Sequence, residues 1–108
     1  MAFKAVFLAH ASDAEPEKDR GLIETSTYKL FSVVVKNQAQ AVEECKKLVN
    51  DEGIHSVLLC PGFSDKNVEE ITEAVGENVG VAVARGDSPG RRVPPEVRIR
   101  AYTSKNGD

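Results

Sequence analysis

Residues 31–60, FSVVVKNQAQAVEECKKLVNDEGIHSVLLC, hold two short apolar runs with a different periodicity between them. Leu30 to Val35 and Val57 to Cys60 are nearly continuous in apolar side chains, the pattern of strands buried in a parallel sheet. The segment between them repeats its apolar residues at three- and four-residue steps instead. Ala41, Val42, Cys45, Leu48 and Val49 share one helical face, while Glu43 and Lys47 form an i,i+4 pair on the other. Asn37 stands where an N-cap belongs, Gln40 follows as in a capping box, and Gly53 supplies the stop. The stretch predicts a strand, a helix over residues 38–52 and a second strand. Two parallel strands need such a crossover.

Reading outward, the same unit recurs on the C-terminal side. In LLCPGFSDKN, residues 58–67, Ser64 is placed as an N-cap with Phe63 and Val68 at the spacing of a hydrophobic staple. A helix over 65–75 follows, with Val68, Ile71, Thr72 and Val75 as its buried stripe and Gly76 as its stop. Val79 to Ala84 is then a further strand, and Phe3 to Ala9 supplies another at the N-terminus. Right-handed crossovers put both helices on one face of the sheet.

The fold class expected is α/β: one small domain over residues 1–108, with a mostly parallel sheet of four to five strands. Residues 12–27, SDAEPEKDRGLIETST, predict a short helix opened by Pro16 and interrupted by Gly21, assigned to the opposite face. Residues 86–96 carry three prolines and two glycines and read as an irregular loop. Val97, Ile99 and Ala101 alternate with Arg98, Arg100 and Tyr102, the pattern of an edge strand, and residues 103–108 read as a frayed tail.

Composition narrows the partners. A net charge of -3 over 108 residues opposes general nucleic-acid binding, which needs a positive face, although Arg85, Arg91, Arg92, Arg98 and Arg100 concentrate near the C-terminus. The initial apolar run is too short for a membrane span or a signal-peptide core, so a cytoplasmic location is expected. Cys45 and Cys60 make no secreted-type framework and are expected as reduced thiols. A sheet with two helices on one face leaves apolar strand residues wet on the other. Each large one forgoes roughly 1.5–3 kcal/mol, against a domain stability of about 5–15 kcal/mol, so a homo-oligomer is expected, most simply a dimer.

Ligands of open α/β sheets bind beyond the carboxyl ends of the strands. His10, Lys36 with Asn37, Cys60 with Gly62, and Arg85 with Asp87 follow the apolar runs and are predicted to share one rim. Two chemistries fit them. Free backbone N–H groups at the Gly62, Phe63 and Ser64 turn, helped by Arg85, Asp87 and Asn37, would hold a small anionic metabolite. Alternatively Cys60 would act as a nucleophile with His10 as its base, making a thiol-dependent enzyme. A third reading is a scaffold without a pocket. The histidines and cysteines lack close ligand spacing and no Gly-x-Gly-x-x-Gly or Walker pattern occurs, so no metal or other cofactor is expected.

The segments AVFLAH, DAEPEKDRGLIET, VVVKNQAQAVEECKKLV, LLCPGFSDKNVEEITEAVG and VGVAVARGD together resemble a family of small prokaryotic α/β proteins known as a domain of unknown function. The likeness runs to about residue 90 of the sequence. It implies a compact α/β protein in which the Pro16 segment and the strand-end CPGF and ARGD segments are framework features, and it brings no activity or catalytic residue.

Overall fold

The computed structural model describes residues 1–84, and the architecture below is theirs. The chain runs β1 (Phe3–His10), β2 (Arg20–Glu24), β3 (Tyr28–Val35), α1 (Gln38–Glu52), β4 (Ser56–Leu59), α2 (Asp65–Val75) and β5 (Gly80–Val83). Five strands form one sheet in the order β2-β3-β1-β4-β5. β1 pairs in parallel with β3 on one side and β4 on the other, and β5 extends the parallel set, whereas β2 joins the edge antiparallel to β3. The sheet is therefore mixed.

Both helices form where the periodicity places them. The Asn37 side chain accepts the Gln40 amide at 2.9 Å, while the Gln40 carboxamide reaches back to the Lys36 N–H at 2.8 Å, one residue beyond the usual box. At the far end of α1, Gly53 sits at φ 69° and ψ 45°, the left-handed conformation that closes a helix. The last turn of α1 has no basic residue of its own. Lys4 of β1 supplies the cation, its Nζ 2.7 Å from the Glu52 carbonyl, where the helix dipole is negative. α2 starts from Ser64, whose Oγ accepts the Asn67 amide at 3.1 Å.

Helices α1 and α2 lie side by side on one face, bridged by Gln38, which donates to the Asn67 carbonyl at 3.1 Å and to Glu70 at 2.8 Å. Beneath them Val6, Leu8, Val33, Val35, Val57 and Leu59 form the sheet's half of the core, met by Ala41, Cys45 and Leu48 of α1 and by Ile71 and Val75 of α2. Phe63 completes it from the turn before α2, with Val68 partly buried against the same cluster. Thr72, expected in the stripe, is exposed and returns its hydroxyl to the Val68 carbonyl at 2.8 Å.

Residues 12–27 depart from the expected short helix. Glu15 carbonyl accepts both the Lys18 and Asp19 amides, but the Asp19 carboxylate caps the Glu15 N–H at 2.8 Å and the helix goes no further than that turn. The chain then becomes β2, with Gly21 inside a strand rather than interrupting a helix. Thr25 closes the hairpin: its Oγ1 accepts the Thr27 and Tyr28 amides at 3.2 and 3.0 Å. The 14–18 segment packs beside α1 instead of on the opposite face, with Ala14 buried. Thus the fifth strand comes from residues 20–24; the expected loop at 86–96, edge strand at 97–102 and tail at 103–108 lie outside the described residues.

Two glycines expected to do similar work differ in backbone geometry. Gly53 has a positive φ and Gly62 does not, and a Cβ at Gly62 would stand 3.6 Å from Cys60 Sγ and 3.8 Å from His10 Nδ1, ordinary contact distances. Gly53→Ala is expected to cost about 1–2 kcal/mol and Gly62→Ala less than about 0.5 kcal/mol, compared by urea denaturation.

Candidate functional site

The parallel strands bring their carboxyl ends together as the topology requires. The Ala11 amide donates to the Val35 carbonyl at 2.9 Å, Cys60 to Leu8 at 2.9 Å and Ala84 to Leu59 at 2.7 Å, so the residues following β1, β3, β4 and β5 form one rim. His10 and Cys60, separated by fifty positions in sequence, both lie beside Gly62 there. No hydrogen bond joins them.

His10 sits over the ring of Phe63, the two ring centroids 3.9 Å apart and inclined by 28°. Phe63 is only 1% exposed, so it is a floor beneath the imidazole and not a surface for a ligand. Burial lowers the His10 pKa from its ordinary value of 6.5, which keeps the ring neutral near pH 7. Its Nε2 is shielded from solvent and has no hydrogen-bond partner among the described residues. A neutral imidazole with an unused buried nitrogen is a group awaiting a donor or acceptor.

The other expected rim residues divide by role. Asn37 and Ser64 use their side-chain oxygens as helix caps, and Gly62 lies beside Cys60 and His10 with room for a Cβ. Asp65 adds a carboxylate in the first turn of α2, where the positive end of the helix dipole lies. Lys36 follows β3 directly, and its ammonium has no partner among the described residues. Arg85 and Asp87 lie outside the described residues.

Beside the rim, a cleft of about 310 Å³ opens between the 14–18 turn and the first half of α1, with Lys36 at its border. Its walls are largely ion-paired: Glu15 with Lys18 at 3.4 Å, Glu43 with Lys47 at 3.5 Å, and the buried Glu44 with Arg20 at 3.1 Å. This cleft and the Glu44 pair were not visible in the sequence, where Arg20 and Glu44 are twenty-four positions apart. Among the described residues, no three His, Cys, Asp or Glu side chains are arranged to hold a metal ion, and no helix is long and apolar enough to cross a membrane. His55 instead accepts the Lys4 amide at 2.9 Å and stacks on Phe3.

Fold and rim together define a small α/β domain with a mixed five-stranded sheet, two helices on one face and a histidine-bearing strand-end site. The chain belongs to a family of unknown function, DUF6506, which matches residues 3–94. No curated protein and no solved structure matches it.

Two measurements check the site's chemistry. The unfolded state binds the His10 proton below about pH 6.5, before the folded state does, so His10 contributes a loss of stability as pH falls from 6.5 through its lowered folded pKa. In His10→Phe, which keeps the stack on Phe63, that share of the acid-side loss should vanish, while the stability difference from the natural chain stays constant above pH 7. Burial, seconded by Glu44, pushes the Cys45 thiol up to about 12. Iodoacetamide at pH 8 should therefore label Cys60 of the native protein and leave Cys45 intact until denaturant is added, as read by peptide mass spectrometry.

Proposed function

We propose that this protein binds a small anionic metabolite at the carboxyl rim of its sheet, in the cytoplasm. The observation that carries the reading is the unpartnered, buried Nε2 of His10, fixed by its stack on Phe63 at the end of β1. A neutral imidazole offers one hydrogen bond to a ligand oxygen, and the Lys36 ammonium, on the neighbouring strand end and without a partner among the described residues, offers the positive charge. Because Asp65 already stands at the start of α2, the charge of the ligand is met by Lys36 and not by that helix dipole. Arg85 and Asp87, next along the chain after β5, belong to the same reading.

A second reading has its own observation. Cys60 Sγ and His10 Nδ1 stand 3.6 and 3.8 Å from the position a Cβ would take at Gly62, so the thiol and the imidazole share one neighbourhood at the rim. In that case the ligand is a substrate attacked by Cys60.

A thermal-shift panel of inorganic phosphate and small phosphorylated and carboxylated compounds separates these readings. A ligand at 100 times its dissociation constant adds about 2.7 kcal/mol, and His10→Phe and Lys36→Ala should each abolish the shift while Cys60→Ser preserves it. Loss of the bound compound's integrity with the natural chain, but not with Cys60→Ser, favours the enzyme. No shift with any compound leaves a scaffold and overturns the binding reading.

A further inference from the structure

The sheet face turned away from α1 and α2 is unusual in its chemistry. Strand register lays its side chains in two rows across the five strands, one reading Ile23, Leu30, Ala5, Ser56, Gly80 and the next reading Gly21, Ser32, Phe7, Leu58, Ala82. Neither row contains a charge. The four charged strand residues, Lys4, Arg20, Glu24 and Lys29, all belong to the helix side, where Lys4 and Lys29 reach Glu52 and Arg20 reaches Glu44. A sheet face meant for water alternates apolar-in with polar-out. This one instead exposes Ile23 at 66%, Phe3 at 45% and Leu58 at 39%, and none of the described helices covers it.

From this register we infer that the bare face is a two-fold interface with a second copy of the chain. The two rows are steric complements of one another. A two-fold axis lying in the interface plane and crossing the strands between the rows sets Ile23 over the partner's Gly21, Leu30 over the partner's Ser32, Phe7 over the partner's Ala5 and Leu58 over the partner's Ser56. Within these two rows every large side chain meets a small one; beyond them Phe3 meets the partner's Ala9 while Tyr28 meets the partner's Val34, and each contact occurs twice, as an isologous interface demands.

The area is also of the right order. Five strands of 8, 5, 8, 4 and 4 residues, ~4.8 Å apart at ~3.3 Å per residue, give a plan area of ~460 Å², which protruding side chains raise toward the ~800 Å² per partner of a standard interface. Residues 85–108 carry six Lys and Arg against three Asp and Glu, and an uncharged face offers such cations no counter-charge, which favours a second copy as the occupant.

Sedimentation equilibrium of the full chain at about 10 µM reads the outcome directly. The expected mass is twice 11.7 kDa, and Leu58→Asp should give 11.7 kDa with unchanged far-ultraviolet circular dichroism. Ala5→Phe, which fills the small side of a pair, should also give monomer, and adding Phe7→Ala to it should restore the dimer by exchanging large and small within that pair. That restoration cannot come from a misfolded variant. A monomeric natural chain overturns the inference, and so does a dimer that survives both Leu58→Asp and Ala5→Phe.

Discussion

β1 has a parallel neighbour on each side, β3 along its whole length and β4 over Ala5 to Leu8, and most of the architecture follows from that central position. Parallel neighbours cannot be joined by a tight turn, so the chain must leave the sheet after β3 and again after β4 and return by a helix. Because each return moves the same way across the sheet, right-handed crossovers put α1 and α2 on one side. One face thereby acquires a core, the other receives neither of the described helices, and the loops that begin each crossover gather at one rim.

Those consequences were legible in sequence wherever the signal was local. α1 and α2 could be bounded at 38–52 and 65–75 because their caps and stops are near neighbours: Asn37 with Gln40, Ser64 with Asn67, and Gly53 and Gly76 just past the ends. β2 was not legible, because nothing within Arg20 to Glu24 marks a strand more strongly than a broken helix. Its identity rests on pairing with β3 and on a hairpin closed by the Thr25 hydroxyl rather than by Asn-Gly or Pro-Gly. Glu44 looked like a solvated helix residue because its partner arrives from that unrecognised strand.

The rim was legible as a place and less so as a mechanism. Strand-end position alone brings both His10 and Cys60 beside Gly62. What position cannot convey is how side chains are used: Asn37 and Ser64 turn their oxygens to helix ends, Phe63 goes under the imidazole, and His10 keeps a nitrogen without a partner. Lys36 emerges as the described cation of the rim only because the ion pairs of Glu15, Glu43 and Glu44 are made with other residues.

The Arg20 to Glu44 ion pair carries a meaning beyond the cleft it borders. β2 is exposed along its length, and besides its ladder to β3 it is held to the body by this contact and by the bond from the Val34 amide to the Asp19 carbonyl just before it. Behind it lies Tyr28–Val35, YKLFSVVV, whose aromatic and β-branched residues make it the segment best suited to recruit foreign strands. β2 thus works as a guard strand. By pinning a weak edge over a strong one, the buried carboxylate of α1 keeps the outer edge of β3 paired, and it does so from the helix side of the sheet.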